Sequence, residues 1–331
     1  IRKGKLMKNN HNLLMKMKNL EKFSGAIKRC VAIAMASMLF ATTGFSLDTH
    51  PVKAQEVSSS ADKIEIPEIS KDAFKKYKKI SGIGANTILG ADFTYYQQCL
   101  EWGKSYKNYM SQSVDNIFDY VKSQGINTIS LKVAVNPTGE NAYLSLENAI
   151  KTLKAVKASN TNLKTNLVLL YSDEITYAGT QNLPADWEKA EKEEQSVTRV
   201  ESAKTYTRET IAKLKQAKVL PDIVTIGNEV NWNFLGITDG EGWEGWKAMG
   251  DISALLKKEG VKNAVSIAAQ PDAASVKYIV QKLGYASVDY DYIGVNVYPD
   301  NNTNSYIKSL KNEVESCAPD KQLIVSNVEY E

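Results

Sequence analysis

Apolar residues in this chain gather into seven short runs, most of them separated by segments of helical period. The runs are TILGADF (87–93), TISLKVAV (128–135), NLVLLYS (166–172), DIVTIGNE (222–229), AVSIAAQ (264–270), YDYIGVNVY (290–298) and QLIVSNVEY (322–330). Several stay apolar without polar alternation, the mark of strands buried on both faces in a helix-covered parallel sheet. Between them, LENAIKTLKAV places Leu146, Ile150, Leu153 and Val156 on one helical face. Ser145 stands where an N-cap belongs, and Gly125 and Gly260 sit just past helical runs. Seven strands with six intervening helices predict an α/β fold, a (β/α)8 TIM barrel, over an open doubly wound sheet. The pattern stops after the seventh strand, at Glu331. The barrel is therefore expected to be incomplete at the C-terminus, with the eighth strand missing and both ends cut from a longer reading frame.

The start of the chain has a different character. Lys16, Lys18, Lys22, Lys28 and Arg29 precede the apolar run VAIAMASMLFATTGFSL (31–47), and Val52 and Ala54 provide small residues before Gln55. This is the layout of a secretory signal cleaved near Ala54–Gln55; an uncleaved membrane anchor is the alternative for an apolar run of that length. Residues 1–54 are thus read as a signal segment, 55–79 as a polar linker and 80–331 as the barrel domain. A secreted protein without stable membrane insertion, acting as a monomer, is the expectation.

Composition changes the picture in two places. The formal charge of +3 is misleading, because residues 1–54 carry ten Lys/Arg and two Asp/Glu, leaving 31 basic against 36 acidic side chains in 55–331. That balance offers no basic face for nucleic acid. Histidine is the sharper constraint: His11 and His50 are the only two, and both lie in the leader. Without histidine, the remaining chain cannot run a Ser–His–Asp or Cys–His mechanism or build an imidazole zinc site. Carboxylates are then the acid–base groups available. The two cysteines beyond the leader, Cys99 and Cys317, show no metal-ligand spacing and read as independent thiols. No metal or organic cofactor is expected. The acidic, glycine-rich DGEGWEG (239–245) lacks calcium-loop spacing and reads as a solvated loop.

In a barrel, polar residues at the C-terminal strand ends line the site. Here those positions hold Asp92, Lys132 with Asn136, Tyr171–Ser172–Asp173, Asn228–Glu229, Gln270, Asn296 with Tyr298, and Asn327 with Glu329. Amides, carboxylates and tyrosines suit sugar hydroxyls, while aromatic rings suit the C–H faces of sugars. Trp187 and Trp232 are candidate platforms, with packing as the equal alternative for each. Glu229 is the candidate general acid/base, against the plainer role of a paired strand-end glutamate.

Taken together and in order, GADFTYYQQCLEWGKSYKN, GINTISLKVAVNP, YSDEITYAGTQNLPADW, PDIVTIGNEVNWNFLG and YDYIGVNVYP resemble glycoside hydrolase family 53, the arabinogalactan endo-β-1,4-galactanases. The resemblance runs from about residue 80 to the last residue. It implies a retaining (β/α)8 enzyme acting on β-1,4-galactan or arabinogalactan, with Glu229 as acid/base and Asn228 on the sugar's 2-hydroxyl. Asp92, Lys132, Tyr171, Asp173, Trp232, Asn296 and Tyr298 complete the expected substrate-binding set.

The departures from the family pattern are specific. Its second strand reads like Arg-x-Arg-Val-Trp, where this chain has Ser130, Lys132 and Ala134. Leu170 replaces a histidine, and Asp300 an aromatic. On the seventh strand, ungapped alignment puts Asn327 where the nucleophilic glutamate belongs, and an amide cannot serve as that anion. Glu329 shares the parity of Asn327 but lies about 6.5 Å further along an extended strand, too far for covalent catalysis without a bulge. Three readings follow: a galactanase-like hydrolase, an inert glycan-binding homologue, or an inverting enzyme with Glu329 as base.

Overall fold

The computed structural model describes residues 87–108, 110–193, 198–268, 273–297 and 303–328, within one compact unit, Ile80–Glu331. The signal and linker segments, and Gln270, Tyr298 and Glu329, lie outside the described residues.

Seven strands form one parallel sheet: β1 (Gly90–Asp92), β2 (Thr128–Val133), β3 (Lys164–Leu169), β4 (Ile223–Ile226), β7 (Lys262–Ile267), β8 (Tyr292–Val297) and β9 (Gln322–Val328), paired in that order. A two-stranded hairpin, β5 (Asn233–Phe234) and β6 (Ile237–Thr238), interrupts the connection after β4. Helices α1 (Tyr96–Glu101), α2 (Ile117–Ser123), α3 (Leu146–Ala158), α4 (Ala185–Glu193), α5 (Arg199–Gln216), α6 (Glu244–Lys258), α7 (Ala273–Tyr285) and α8 (Thr303–Cys317) fill the crossovers. Parts of β1 and β9 approach within 8 Å at Cα, so the sheet curls into a nearly closed barrel with one gap.

Strand alternation explains the two-sided core. One set of side chains, including Leu131, Leu167, Val224, Val265, Ile293 and Val295, joins the main cluster under the helices. The other set points inward and is layered by polarity. Ile223, Ala264 and Tyr292, with Ile88 and Ile324, fill one end of the barrel. Above them Thr225 donates to Asn166 at 2.9 Å, and Asn166 to Ser130 at 3.1 Å. Polar residues in this layer leave the C-terminal mouth able to carry a polar site. On the outer side, Ile252 and Leu256 of α6 are fully buried; each such side chain contributes about 1.5–3 kcal/mol.

Helix punctuation follows the sequence closely. Ser145 caps α3 by accepting from the Asn148 amide at 3.3 Å, and Gly125 and Gly260 take positive φ just beyond α2 and α6. The strands are shorter than the apolar runs suggested. β4 ends at Ile226, because Gly227 (φ 71°) and Glu229 (φ 54°) turn left-handed. The hairpin β5–β6 and helices α1 and α4 are additions to the predicted elements. α1 and α4 hold no buried residue to signal them.

Candidate active site

The left-handed turn at the end of β4 aims Glu229 into the mouth. A Cβ at Gly227 would lie 2.3 Å from Val230 Cγ1, so only glycine permits this turn. Glu229 itself is a non-glycine residue in the left-handed region, a conformation that costs about 1–3 kcal/mol and persists where surroundings hold it.

Those surroundings are visible on all sides. Asn296 Nδ2, from β8, donates to Glu229 Oε1 at 2.8 Å and to Asn228 Oδ1 at 3.2 Å. The Ala178 amide, from the loop after β3, donates to Glu229 Oε2 at 2.9 Å. Gln181 Nε2 donates to the carbonyls of Asn228 (2.8 Å) and Glu229 (3.3 Å), and Thr176 Oγ1 to that of Asn228 at 3.1 Å. Asn228 Nδ2 donates back to the Thr176 carbonyl at 2.6 Å. Glu229, Asn228 and Asn296 are each less than 5% exposed. The loop after β3 therefore clamps the end of β4 from one side, and β8 braces it from the other.

The seventh sheet strand meets this network through a register shift. Val295 pairs with Val325 and Asn296 with Asn327, leaving Ser326 as one extra residue in β9. Ser326 Oγ donates to Asn296 Oδ1 at 2.8 Å. Gly294 makes room for it, since a Cβ there would meet the Ser326 side chain at 3.0 Å. Asn327 thus stands level with Asn296, on the strand beside it.

Across the mouth, Lys132 from β2 forms an ion pair with Asp92 from β1. The Thr94 amide donates to Asp92 Oδ1 at 2.8 Å, and Thr94 Oγ1 accepts from the Lys132 amide at 2.9 Å. Burial pushes the Asp92 carboxyl up, but the Lys132 charge and the hydrogen bonds from Lys132 and Thr94 hold it below the ordinary carboxylate value. Tyr95 is 39% and Tyr177 47% exposed. The Tyr95 hydroxyl is raised by burial, and its titration also feels Lys132, Asp92 and Tyr177, which places these four groups within electrostatic reach.

Some predicted positions are placed elsewhere. Tyr171, expected to line the site, is 2% exposed and lies in the main core cluster. Its left-handed φ of 54° turns the ring away from the barrel axis, where it packs edge-on to Tyr206 and Phe234 and hydrogen-bonds Thr207 at 2.9 Å. Asp173 braces loops: it accepts from the Asn136 amide at 2.9 Å and the Ala185 amide at 3.0 Å. Trp187 packs edge-on to Tyr206 against the core. Trp232 is 41% exposed on the surface beside Tyr278.

Sequence reasoning passed over Tyr95, Tyr177, Gln181, Ser326 and Ser266, whose Oγ lies 3.5 Å from both Asn228 Oδ1 and Asn296 Oδ1. The two serines carried a signal: each is a small polar residue near the end of an otherwise apolar strand, on the inward face. Gln181 carried none, because nothing in a loop sequence marks a glutamine as 95% buried. Cys99 and Cys317 are free thiols. Among the described residues, no group of three or more His, Cys, Asp or Glu side chains could hold a metal ion, and no helix is long and apolar enough to cross a membrane.

A parallel barrel with a buried glutamate at the end of its fourth strand, braced by amides from neighbouring elements, defines the class: an α/β barrel whose polar site opens at the C-terminal strand ends. Residues 88–331 match the family model described as "Glycosyl hydrolase family 53". The chain belongs to that family. It is 29% identical over 232 residues to the arabinogalactan endo-beta-1,4-galactanase of Cellvibrio japonicus, covering 66% of this chain and 59% of that protein. It is 28% identical over 253 residues to the arabinogalactan endo-beta-1,4-galactanase of Thermothelomyces thermophilus, covering 71% and 70%. The chain thus spans less than two thirds of the Cellvibrio relative's length. Among solved structures, the Ignisphaera aggregans GH53 catalytic domain superposes with a TM-score of 0.65 at 21% identity, covering 76% of this chain and 70% of that one. A structure of fungal beta-1,4-galactanases gives 0.62 at 22%, covering 74% and 77%. At that identity the likeness establishes the shared barrel fold.

Proposed function

We propose that this protein is a secreted glycoside hydrolase that cleaves β-1,4-galactan or arabinogalactan side chains, with Glu229 as general acid/base. The observation that carries the reading is the placement of Glu229: a carboxyl at the end of β4, turned into the mouth by a strained backbone and held at both oxygens. Strain kept at one residue by a dedicated set of donors is what an acid/base group needs, since proton transfer depends on position first. Glu229 would give its proton to the departing glycosidic oxygen and later take one from water. Asn228, Lys132 and Asp92 would bind substrate hydroxyls, with Tyr95 and Tyr177 as walls, while Asn296, its polar atoms taken up by Glu229, Asn228 and Ser326, would position Glu229 instead of binding sugar as expected.

The second carboxylate is assigned to Glu329. The register shift at Ser326 brings Asn327 level with Asn296, and Glu329 is the next carboxylate along the chain. Tyr298, two residues after Asn296 in the sequence, is proposed to complete the substrate-binding set.

One observation favours a second reading. Asn327, level with Asn296 in the braced network, offers an amide where the family pattern has a nucleophile. A chain with this site and no anion within reach would hold galactan without cutting it.

The test is the release of reducing ends from linear β-1,4-galactan by the wild-type protein and by Glu229→Gln. Hydrolysis that falls about 10²- to 10⁴-fold in the variant supports the assignment. Undiminished hydrolysis removes Glu229 from the mechanism, and binding without hydrolysis by the wild type selects the second reading.

A further inference from the structure

The connection between β4 and α6 delivers two tryptophans to the surface beside the mouth. Trp232 is 41% and Trp243 39% exposed. Both lean on α7. The Trp232 ring lies 5.8 Å from that of Tyr278, tilted by 37°. Lys282, one helical turn beyond Tyr278, sits 4.9 Å over the Tyr278 ring and 4.9 Å over the Trp243 ring. Asp239 ties the cluster from behind: it accepts from Trp246 Nε1 at 2.8 Å and from the Tyr278 hydroxyl, and pairs with Lys282 at 3.3 Å. Tyr278 and Lys282 are therefore held by Asp239, and the Trp232 and Trp243 rings rest on them.

The loop itself is equally anchored. Asn231 Oδ1 accepts from the Ala268 amide at 2.7 Å, and the Asp239 amide donates to the Trp232 carbonyl at 2.8 Å. Gly245 lets the first turn of α6 press on the hairpin, since a Cβ there would stand 3.2 Å from the Phe234 carbonyl. Trp232 follows Glu229 by three residues, so their Cα atoms are at most about 11 Å apart.

Exposed indoles packed around a lysine that is itself held by a carboxylate form an amphipathic surface. We propose that the Trp232–Tyr278–Trp243 ledge is an additional glycan subsite, taking a neutral galactose-type ring of the same chain that occupies the mouth; this rests on the galactan reading of Glu229's site. Galactose fits by its own chemistry: its axial 4-hydroxyl leaves one ring face lined by C–H groups, which stack on an indole. Lys282, held between the Tyr278 and Trp243 rings, is the donor nearest the outward hydroxyls. The ions on the ledge compensate each other, so it gains nothing from a charged sugar.

The experiment is calorimetric titration of wild-type, Trp232→Ala, Trp243→Ala and Trp232→Phe proteins with β-1,4-galacto-oligosaccharides of increasing length, in the Glu229→Gln background. Circular dichroism checks that each variant keeps its fold. The expected result is a loss of affinity that grows with chain length, reaching about three- to tenfold on the longest chains for Trp232→Ala. Trp232→Phe should recover part of it, and β-1,4-glucan oligosaccharides should bind more weakly than galactan. A loss equal at all lengths, no loss on long chains, or no binding of any galacto-oligosaccharide by the parent overturns the proposal. So does a concentration-dependent dimer in sedimentation that Trp232→Ala abolishes, since a second copy would then own the ledge. Length-dependent binding together with absent hydrolysis by the wild type would leave the ledge standing and remove only the hydrolase reading.

Discussion

Asn296 reaches from β8 to place its side-chain amide 2.8 Å from Glu229 Oε1 and 3.2 Å from Asn228 Oδ1, joining two strands that are not neighbours in the sheet. Its own oxygen is held by Ser326 at 2.8 Å. Asn296→Ala leaves those buried partners short of a donor or acceptor, a loss of about 1–3 kcal/mol in stability. It also frees the Glu229 carboxyl to swing, and a displacement of about 1 Å at a reacting group can lower turnover about 10²-fold. Urea unfolding and kcat on galactan measure the two effects separately, with KM expected to change less than kcat.

Two glycines separate backbone shape from packing. At Gly227 the left-handed φ and the 2.3 Å approach to Val230 Cγ1 mean that alanine must distort the turn carrying Glu229. Gly227→Ala is expected to lower both stability and turnover. At Gly250, on α6, a Cβ would meet the Ala286 carbonyl oxygen at 2.3 Å, remote from the mouth. Gly250→Ala should destabilise by about 1–3 kcal/mol, as overpacking does, while the folded fraction keeps its specific activity. Thermal unfolding followed by activity of the soluble fraction distinguishes the pair.

The seven strands were legible because a strand buried on both faces must stay apolar for several residues, and few other elements do. The polar end of β4 was legible for the opposite reason: Asn228–Glu229 breaks an apolar run where a barrel strand reaches its mouth. Tyr171 shows where this reasoning stops. It stands two positions beyond the end of β3, as a rim residue would, but one left-handed φ sends its ring into the outer core. A backbone sign of that kind has no signature in residue type, because tyrosine is not a residue that favours it. Gln181 and Ala178 were hidden by another cause. They act on Glu229 from a loop whose fold is set by tertiary contacts, and Ala178 acts through a backbone amide that every residue but proline owns.

The ion pair at the first two strands predicts an acid response. Burial alone would raise the Asp92 carboxyl, but Lys132 and Thr94 lower it below its ordinary value. A carboxyl with a depressed folded pKa favours the folded state above its unfolded pKa, about 3.9, and that contribution is lost as pH falls through the lower folded value. Asp92→Asn should therefore flatten the dependence of Tm on pH below about 4 relative to wild type. Lys132→Met should lower Tm above that pH by leaving Asp92 without its cation, and should weaken galactan binding. Tm measured across acid pH for the three proteins checks the sign.

The position of the second carboxylate decides both whether sugar chains are cut and which anomer emerges. Retention requires the two carboxyls about 5–5.5 Å apart, and inversion about 6.5–9.5 Å, to admit water. Asn327 stands level with Asn296, whose amide touches Glu229, so a carboxylate introduced at 327 would enter on the strand next to the one that braces Glu229. If Glu329 is the working partner, Glu329→Gln abolishes hydrolysis, and proton NMR of the first product reports which separation the strand achieves. Asn327→Glu is then expected to leave two carboxylates competing beside Glu229 and to lower the rate. If Glu329 lies out of reach, Glu329→Gln changes nothing and Asn327→Glu raises hydrolysis from a low level, with retention of configuration. The two substitutions thus move activity in opposite directions under the two readings.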